Sequence, residues 1–330
     1  MFAIVVFVIF LALLFDFVNG MNDAANSIAT VVSTHVLSPS VAVAWAAFFN
    51  FVAAFGFGVK VAGTMGKGIV EASAVNEWMI LAALVGAIIW AYLCTHYGLP
   101  ISISHSLIGG LIGAAVVKAG LESLVFSGIS KVLLFIVLSP LLGLIFGFIL
   151  MVAVHWLLRG WTSTRVDRFF RVGQLVSSAA YSLGHGTNDA QKTMGIIAIL
   201  LFSAGYLGKE FYVPIWVVLA AHASIAAGTF VGGWKVVRTM GVRLTKLRPV
   251  GGFCAEAAGA LILHATAQAG IPVSTTHTIA GSIAGVGVTR RIAAVRWGLA
   301  GRIIWAWIFT VPVTALIAGL VYEIIRILLL

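Results

Sequence analysis

Two carboxylates stand inside apolar sequence, each in the same short setting: Gly20-Met21-Asn22-Asp23-Ala24 and Gly186-Thr187-Asn188-Asp189-Ala190. An acid at membrane depth is expensive and marks a pathway or a site far more often than it decorates a surface. Hard cations take carboxylate, amide and backbone carbonyl oxygens. Asp23, Asp189, Asn22 and Asn188 are therefore candidate cation ligands, and Asn26 could add one more oxygen. The competing reading is a helix cap or a structural hydrogen bond to a neighbouring span. Asp16, about two helical turns before Asp23, fits a structural or a pathway role equally.

A second pair of motifs carries hydroxyls. Gly98-Leu99-Pro100-Ile101-Ser102-Ile103-Ser104-His105-Ser106 returns as Gly270-Ile271-Pro272-Val273-Ser274-Thr275-Thr276-His277-Thr278. Gly and Pro followed by hydroxyls are ordinary helix-start signals, so a capped helix at a membrane face is the plain reading. The sharper one makes each start the tip of a re-entrant hairpin at the midplane. Ser102, Ser104, Ser274, Thr275 and Thr276 would then offer hydroxyls, and the helix starts would offer free N–H groups and positive dipole ends to an anion. Uncharged donors suit an anion that must also leave. His105 and His277 hold matching positions and could contact an anion, relay a proton or pack as core residues. Lys192 stands where the first half has Asn26; it could snorkel, pair with Asp189 three residues earlier, or meet the anion directly.

The elements that position these residues must be membrane-spanning. Of 330 residues, 61% are hydrophobic and 9% charged, against roughly 25% charged in soluble domains. Apolar stretches lie at about 1–33, 40–59, 78–97, 100–117, 132–158, 173–203, 212–233, 251–269, 272–288 and 303–328. Continuous runs of this length favour helices over a barrel. The first and sixth would run to nearly ~50 Å as straight helices against a ~30 Å hydrocarbon core, which predicts helices broken at their Asn-Asp motifs. Residues 1–15 lack the basic start and cleavage site of a signal peptide and read as part of the first span. Cys94 and Cys254, both in apolar segments, suggest neither a disulfide framework nor a metal site.

Thirteen of the 20 Lys and Arg fall in three loops: Arg159 to Arg171, Lys235 to Arg248 and Arg290 to Arg302. Positive-inside bias places these loops in the cytoplasm and accounts for the net charge of +10 without nucleic-acid binding. Both termini are then expected outside. Lys60-Val61-x-x-Thr64-Met65-Gly66 matches Lys235-Val236-x-x-Thr239-Met240-Gly241 in five of seven positions. The first copy follows a span that exits and the second follows one that enters. The expected architecture is an all-α integral membrane protein of two inverted-topology repeats, residues 1–158 and 173–330, joined by a cytoplasmic linker at 159–172. Each repeat holds about five hydrophobic segments. The parity is odd whether 78–118 and 251–288 form re-entrant hairpins or full crossings. Inversion should bring Ser102 to Ser106 and Ser274 to Thr278 together, close to Asp23 and Asp189.

No Walker loop, nucleophile elbow or His-Glu-x-x-His is present, so the chain reads as no enzyme and as needing no cofactor. Energy for transport would come from an ion gradient or from the substrate's own. An uncoupled anion channel is the competing class, disfavoured because paired acids repel an anion unless a cation accompanies it.

Gly20-Met21-Asn22-Asp23-Ala24-Ala25-Asn26 and Gly184-His185-Gly186-Thr187-Asn188-Asp189-Ala190-Gln191-Lys192 resemble the paired signatures of the inorganic phosphate transporter (PiT) family, and Pro272-Val273-Ser274-Thr275-Thr276-His277 resembles its second-half hydroxyl motif. The resemblance spans nearly the whole chain. It implies cation-coupled uptake of inorganic phosphate across the cytoplasmic membrane by alternating access, with Na+ or H+ as the coupling cation, inverted repeats and usually a homodimer. Asp23 and Asp189 would correspond to its essential acids. The phosphate-binding candidates become Ser102, Ser104, Ser274, Thr275, Thr276, Gln191 and Lys192. The long central loop of many members is missing, but it is not part of the transport core. Some relatives carry sulfate, and composition alone does not separate the two anions.

Overall fold

Twelve α-helices account for the architecture in a computed structural model, which describes residues 2–56 and 58–329. The first half holds α1 (Phe2–Ser33), α2 (Pro39–Val52), α3 (Lys60–Lys67), α4 (Glu77–Tyr97), α5 (Ile103–Ala119) and α6 (Phe126–Leu157). The second holds α7 (Ser163–Ser203), α8 (Ile215–Val231), α9 (Trp234–Arg238), α10 (Pro249–Gln268), α11 (Thr275–Val288) and α12 (Trp297–Leu329). A π-helical turn, Thr239–Arg243, continues α9. Among the described residues, no strand forms beyond one isolated bridge, Val70 to Leu124.

Five of these helices, α1, α4, α6, α10 and α12, are each long and apolar enough to cross a membrane. The protein is a multi-pass membrane protein. Its halves interlock. Helix α11 packs along α6 of the other half, and α5 packs along α12; α1 packs on α8, and α2 on α7. A buried polar centre is thereby surrounded by side chains drawn from both halves.

Each half contains one hairpin. Gly98 and Gly270 take left-handed backbone, with φ of 70° and 67°, where any side chain would be strained. They end α4 and α10, and a Pro two residues later, Pro100 or Pro272, keeps the chain extended. The chain then turns into α5 and α11, of 17 and 14 residues. At 1.5 Å per residue these reach only about 26 and 21 Å, short of a ~30 Å hydrocarbon core.

Two expectations need correction. First, α1 and α7 run unbroken through their Asn-Asp motifs for 32 and 41 residues. The polar groups there come from side chains, so the backbone keeps its own hydrogen bonds, which lipid strongly favours. A helix longer than the hydrocarbon core can be accommodated by tilt. The bends lie instead after α2 and α8; α8 and the segment from α9 through the π turn meet at 65°. Second, the repeated Lys-Val-x-x-Thr-Met-Gly sequences are not loops but short helices, α3 and α9 with its π turn, so each half has six helical elements. Residues 163–172 form the opening turns of α7. Thr162 accepts from the Arg165 N–H and starts α7 at Ser163, as a good N-cap does.

The basic loops meet at one end of the molecule. Arg248 donates to Ser163 Oγ at 3.4 Å, and Arg290 to the Lys246 carbonyl at 3.2 Å.

Candidate functional site

The two hairpin tips meet. The rings of His105 and His277 are 4.8 Å apart. His277 stacks on Trp307 at 3.8 Å, and the Trp307 N–H donates to the Pro100 carbonyl at 2.8 Å, so α12 ties one tip to the other. Ser102 and Ser274 cap their own helices by accepting from His105 N and His277 N. Each serine hydroxyl keeps its hydrogen to offer elsewhere. Both histidines are buried in this seam.

The acids lie directly against the second tip. Thr275 Oγ1 is 2.9 Å from Asp189 Oδ2 and 3.2 Å from Asp23 Oδ2, bridging the two carboxylates. Thr276 Oγ1 donates to Asp23 Oδ1 at 3.2 Å. Asn26 Nδ2 donates to both threonine hydroxyls, at 3.3 and 3.0 Å. His185, one turn before Asp189, places Nε2 3.2 Å from Asp189 Oδ2 and 3.9 Å from Asp23 Oδ2. That nitrogen lacks hydrogen-bond alignment to either acid. Asp23, His185 and Asp189 each offer one ligand atom, all within 4.8 Å of one another. The three could hold a cation between them.

The amides around it are oriented alike. Asn22 spends its N–H on Thr95 Oγ1 at 2.7 Å, and Asn188 on the carbonyls of Gly184 and Leu263 at 2.9 Å each. Asn26 spends its own on the threonines. In all three the side-chain oxygen is left buried and without a donor, as is Ser27 Oγ. Unpaired buried oxygens are costly unless something electropositive meets them. A donor set of carboxylates and bare amide oxygens fits a hard cation.

Four residues expected at the anion have other partners here: the hydroxyls of Thr275 and Thr276 face the acids, as above, and Gln191 and Lys192 are likewise engaged. Gln191 accepts from the N–H groups of Val61 and Ala62, at 2.8 and 3.3 Å, and so caps the first turn of α3. Lys192 has all three N–H groups engaged: Asp189 Oδ1 at 2.5 Å, Ser104 Oγ at 2.5 Å and the Val273 carbonyl at 2.7 Å. Its charge is spent on a carboxylate and on both tips, which withdraws it from direct anion contact in this conformation.

His185 was not singled out by sequence, although its spacing of four from Asp189 was a readable signal. A further buried cluster centres on an acid in an apolar span, where a structural partner is the plain expectation. Glu256 accepts from Thr30, Ser177 and Gln174, and Gln174 accepts from Thr34 at 2.9 Å. These buried bonds join α1, α7 and α10. Asp16 is fully buried on α1 with neither oxygen partnered, beside the equally unpartnered oxygens of Asn19 and Thr193.

Comparison with known proteins identifies the family. A family model described as the phosphate transporter family matches residues 19–164 and again 159–318, one match to each half. A probable low-affinity inorganic phosphate transporter of Rhizobium meliloti (strain 1021) is 56% identical over 97% of this chain and 96% of its own length. A protein of the same description from Bacillus subtilis (strain 168) is 40% identical over 97% of both. A solved structure titled "The sodium-dependent phosphate transporter" superposes with a TM-score of 0.89 at 26% identity, covering 99% of this chain and 100% of that one. With paired Asn-Asp motifs, interlocked halves and full-length likeness to such proteins, this chain belongs to the phosphate transporter family.

Proposed function

We propose that this protein takes up inorganic phosphate across the cytoplasmic membrane by alternating access, coupled to a monovalent cation. The carrying observation is the convergence of two acids, the Asn26 amide and two hydroxyl-rich helix starts at one buried centre. Two carboxylates there face one ammonium, so phosphate can enter only with compensating positive charge. Cation ligands are Asp23, Asp189, Asn22, Asn188 and Asn26, with His185 closing the set. Phosphate takes the hydroxyls of Ser102, Ser104, Ser274, Thr275 and Thr276 and the N-terminal N–H groups of α5 and α11. Na+ is favoured over H+ because the solved neighbour is titled sodium-dependent.

The inverted arrangement supports alternating access. The repeats, residues 1–158 and 173–330, are read as opposite in orientation, with the basic loops cytoplasmic and both termini outside. The hairpins are read as re-entrant, since α5 and α11 are too short to cross alone. A symmetric pair of tips at a central site can open to one face or the other.

The test is uptake of labelled phosphate by proteoliposomes under an imposed sodium gradient, with choline replacing sodium at fixed pH. Saturable, sodium-stimulated uptake that excess sulfate does not suppress is expected. Strong inhibition by sulfate without saturable phosphate uptake would identify a sulfate permease. Phosphate currents indifferent to cation gradients would identify a channel.

A further inference from the structure

We infer that Lys192 is a tethered cation that permanently fills one of two equivalent cation positions, so that one fewer cation is transported with each phosphate. This rests on the transport reading above and adds the coupling ratio to it.

The two motif copies differ at one charged position. Asp23 is followed three residues later by Asn26, and Asp189 three residues later by Lys192. Around Asp189, the Lys192 ammonium lies among Asp189 Oδ1, Ser104 Oγ of the first tip and the Val273 carbonyl of the second. These three oxygens, at 2.5 to 2.7 Å, are the ligand types a hard cation takes. Around Asp23, the residue matching Ser104 is Thr276, whose hydroxyl contacts Asp23 Oδ1 at 3.2 Å. No lysine or arginine enters there; the nearest basic group is His185, whose Nε2 is 3.9 Å from Asp23 Oδ2. Asn26 directs its N–H at the threonines and leaves its oxygen bare. One half thus supplies its own positive charge, and the matching half leaves the same chemistry to an exchangeable ion.

Lys192 is 1% exposed, so it does not snorkel to a surface. It also joins the tips of both hairpins, which an exchangeable ion at this point would join only when bound. A tethered ion keeps that junction loaded through the cycle.

The experiment replaces the ammonium and counts ions. Lys192→Asn restores the first-half residue; Lys192→Gln is a longer neutral companion. Cations taken up per phosphate are measured in proteoliposomes for each variant and for the unsubstituted chain, and the difference cancels protons carried by phosphate itself. Labelled sodium bound per purified protein is measured in parallel and needs no turnover. Both quantities should rise by one in the variants, with steeper sodium dependence of uptake. A variant that folds only in sodium would support the same conclusion, since the vacated site must be refillable. Unchanged ratios and unchanged sodium binding would overturn it, as would failure of both variants to fold at every sodium concentration. Absence of phosphate uptake by the unsubstituted chain would instead sink the transport reading, and sodium binding would still report on Lys192.

Discussion

The ammonium of Lys235 donates to the carbonyl oxygen of His96, 2.8 Å away in the last turn of α4. Thr239, one turn further on, donates to the Gly98 carbonyl at 2.9 Å. The other half repeats this contact: Lys60 donates to the Gln268 carbonyl at 3.1 Å, and Thr64 to that of Gly270 at 2.8 Å. Each Lys-Val-x-x-Thr-Met-Gly helix therefore clamps the hairpin of the opposite half, with its lysine on the negative end of a helix. Five matching positions in sequence preserve this pair of clamps.

The clamps make a reciprocal prediction. Thr239→Val removes one hydrogen bond from the first tip, about 1 kcal/mol, or roughly fivefold in its local opening. Hydrogen exchange should quicken at residues 98–102 and stay unchanged at 270–274. Thr64→Val should give the opposite pattern. If either substitution loosened both tips equally, the clamps would not be independent.

Neutralising the two acids should stop coupled uptake alike but affect stability very differently. Asp189 pairs with the buried Lys192, whereas Asp23 has no lysine or arginine partner. Asp189→Asn strands a buried ammonium and should cost about 3–5 kcal/mol. Asp23→Asn removes a carboxylate with no lysine to strand and should cost less than about 1.5 kcal/mol. Thermal unfolding in one detergent, beside uptake assays, measures both. Equal loss of stability would contradict the asymmetry described here.

Glycine at the start of the first motif is required by packing. A methyl group on Gly20 would lie 2.1 Å from the Ile225 carbonyl oxygen, and one on Gly228 would lie 2.0 Å from that of Phe17. Both clashes are with backbone, which cannot step aside without separating α1 from α8. Gly20→Ala should destabilise by about 1–3 kcal/mol and reduce the folded yield. An unchanged melting temperature would refute the close contact.

Much of this was legible in sequence, for local reasons. Long apolar runs fix the main helices, and Gly98-Leu99-Pro100 with Ser102 contains the whole turn and cap of a hairpin tip. The same holds for Gly270 to Ser274. What failed depended on distant partners. Lys192 could snorkel, pair or bind an anion by sequence, and only Ser104 and Val273, both far along the chain, decide among these. Gln191 is committed to α3 by Val61 and Ala62, which no local pattern reveals. Along the unbroken α1, Thr95 accepts from Asn22 while Thr275 and Thr276 donate to Asp23, partners far along the chain that no local pattern reveals. The motif alone looked like a helix break because length was set against bilayer thickness without tilt.

Asp16 yields the last prediction. It is buried on α1 with neither oxygen partnered, beside Asn19 Oδ1 and Thr193 Oγ1, which also lack donors. Thr193 and Asn19 can each turn a hydrogen toward it, but among the described residues no lysine or arginine pairs with this buried carboxylate, an arrangement that costs stability. Asp16→Asn keeps the shape and supplies two N–H groups. It should stabilise the protein by about 1 kcal/mol, one net hydrogen bond, seen as a higher melting temperature. Asp16 lies two turns from Asp23 on the same face of α1, so uptake should fall even as stability rises. That combination is the expected mark of an acid that serves transport at the expense of the fold. A lower melting temperature would show that Asp16 supports the structure, and a higher one with full uptake would leave it outside the pathway.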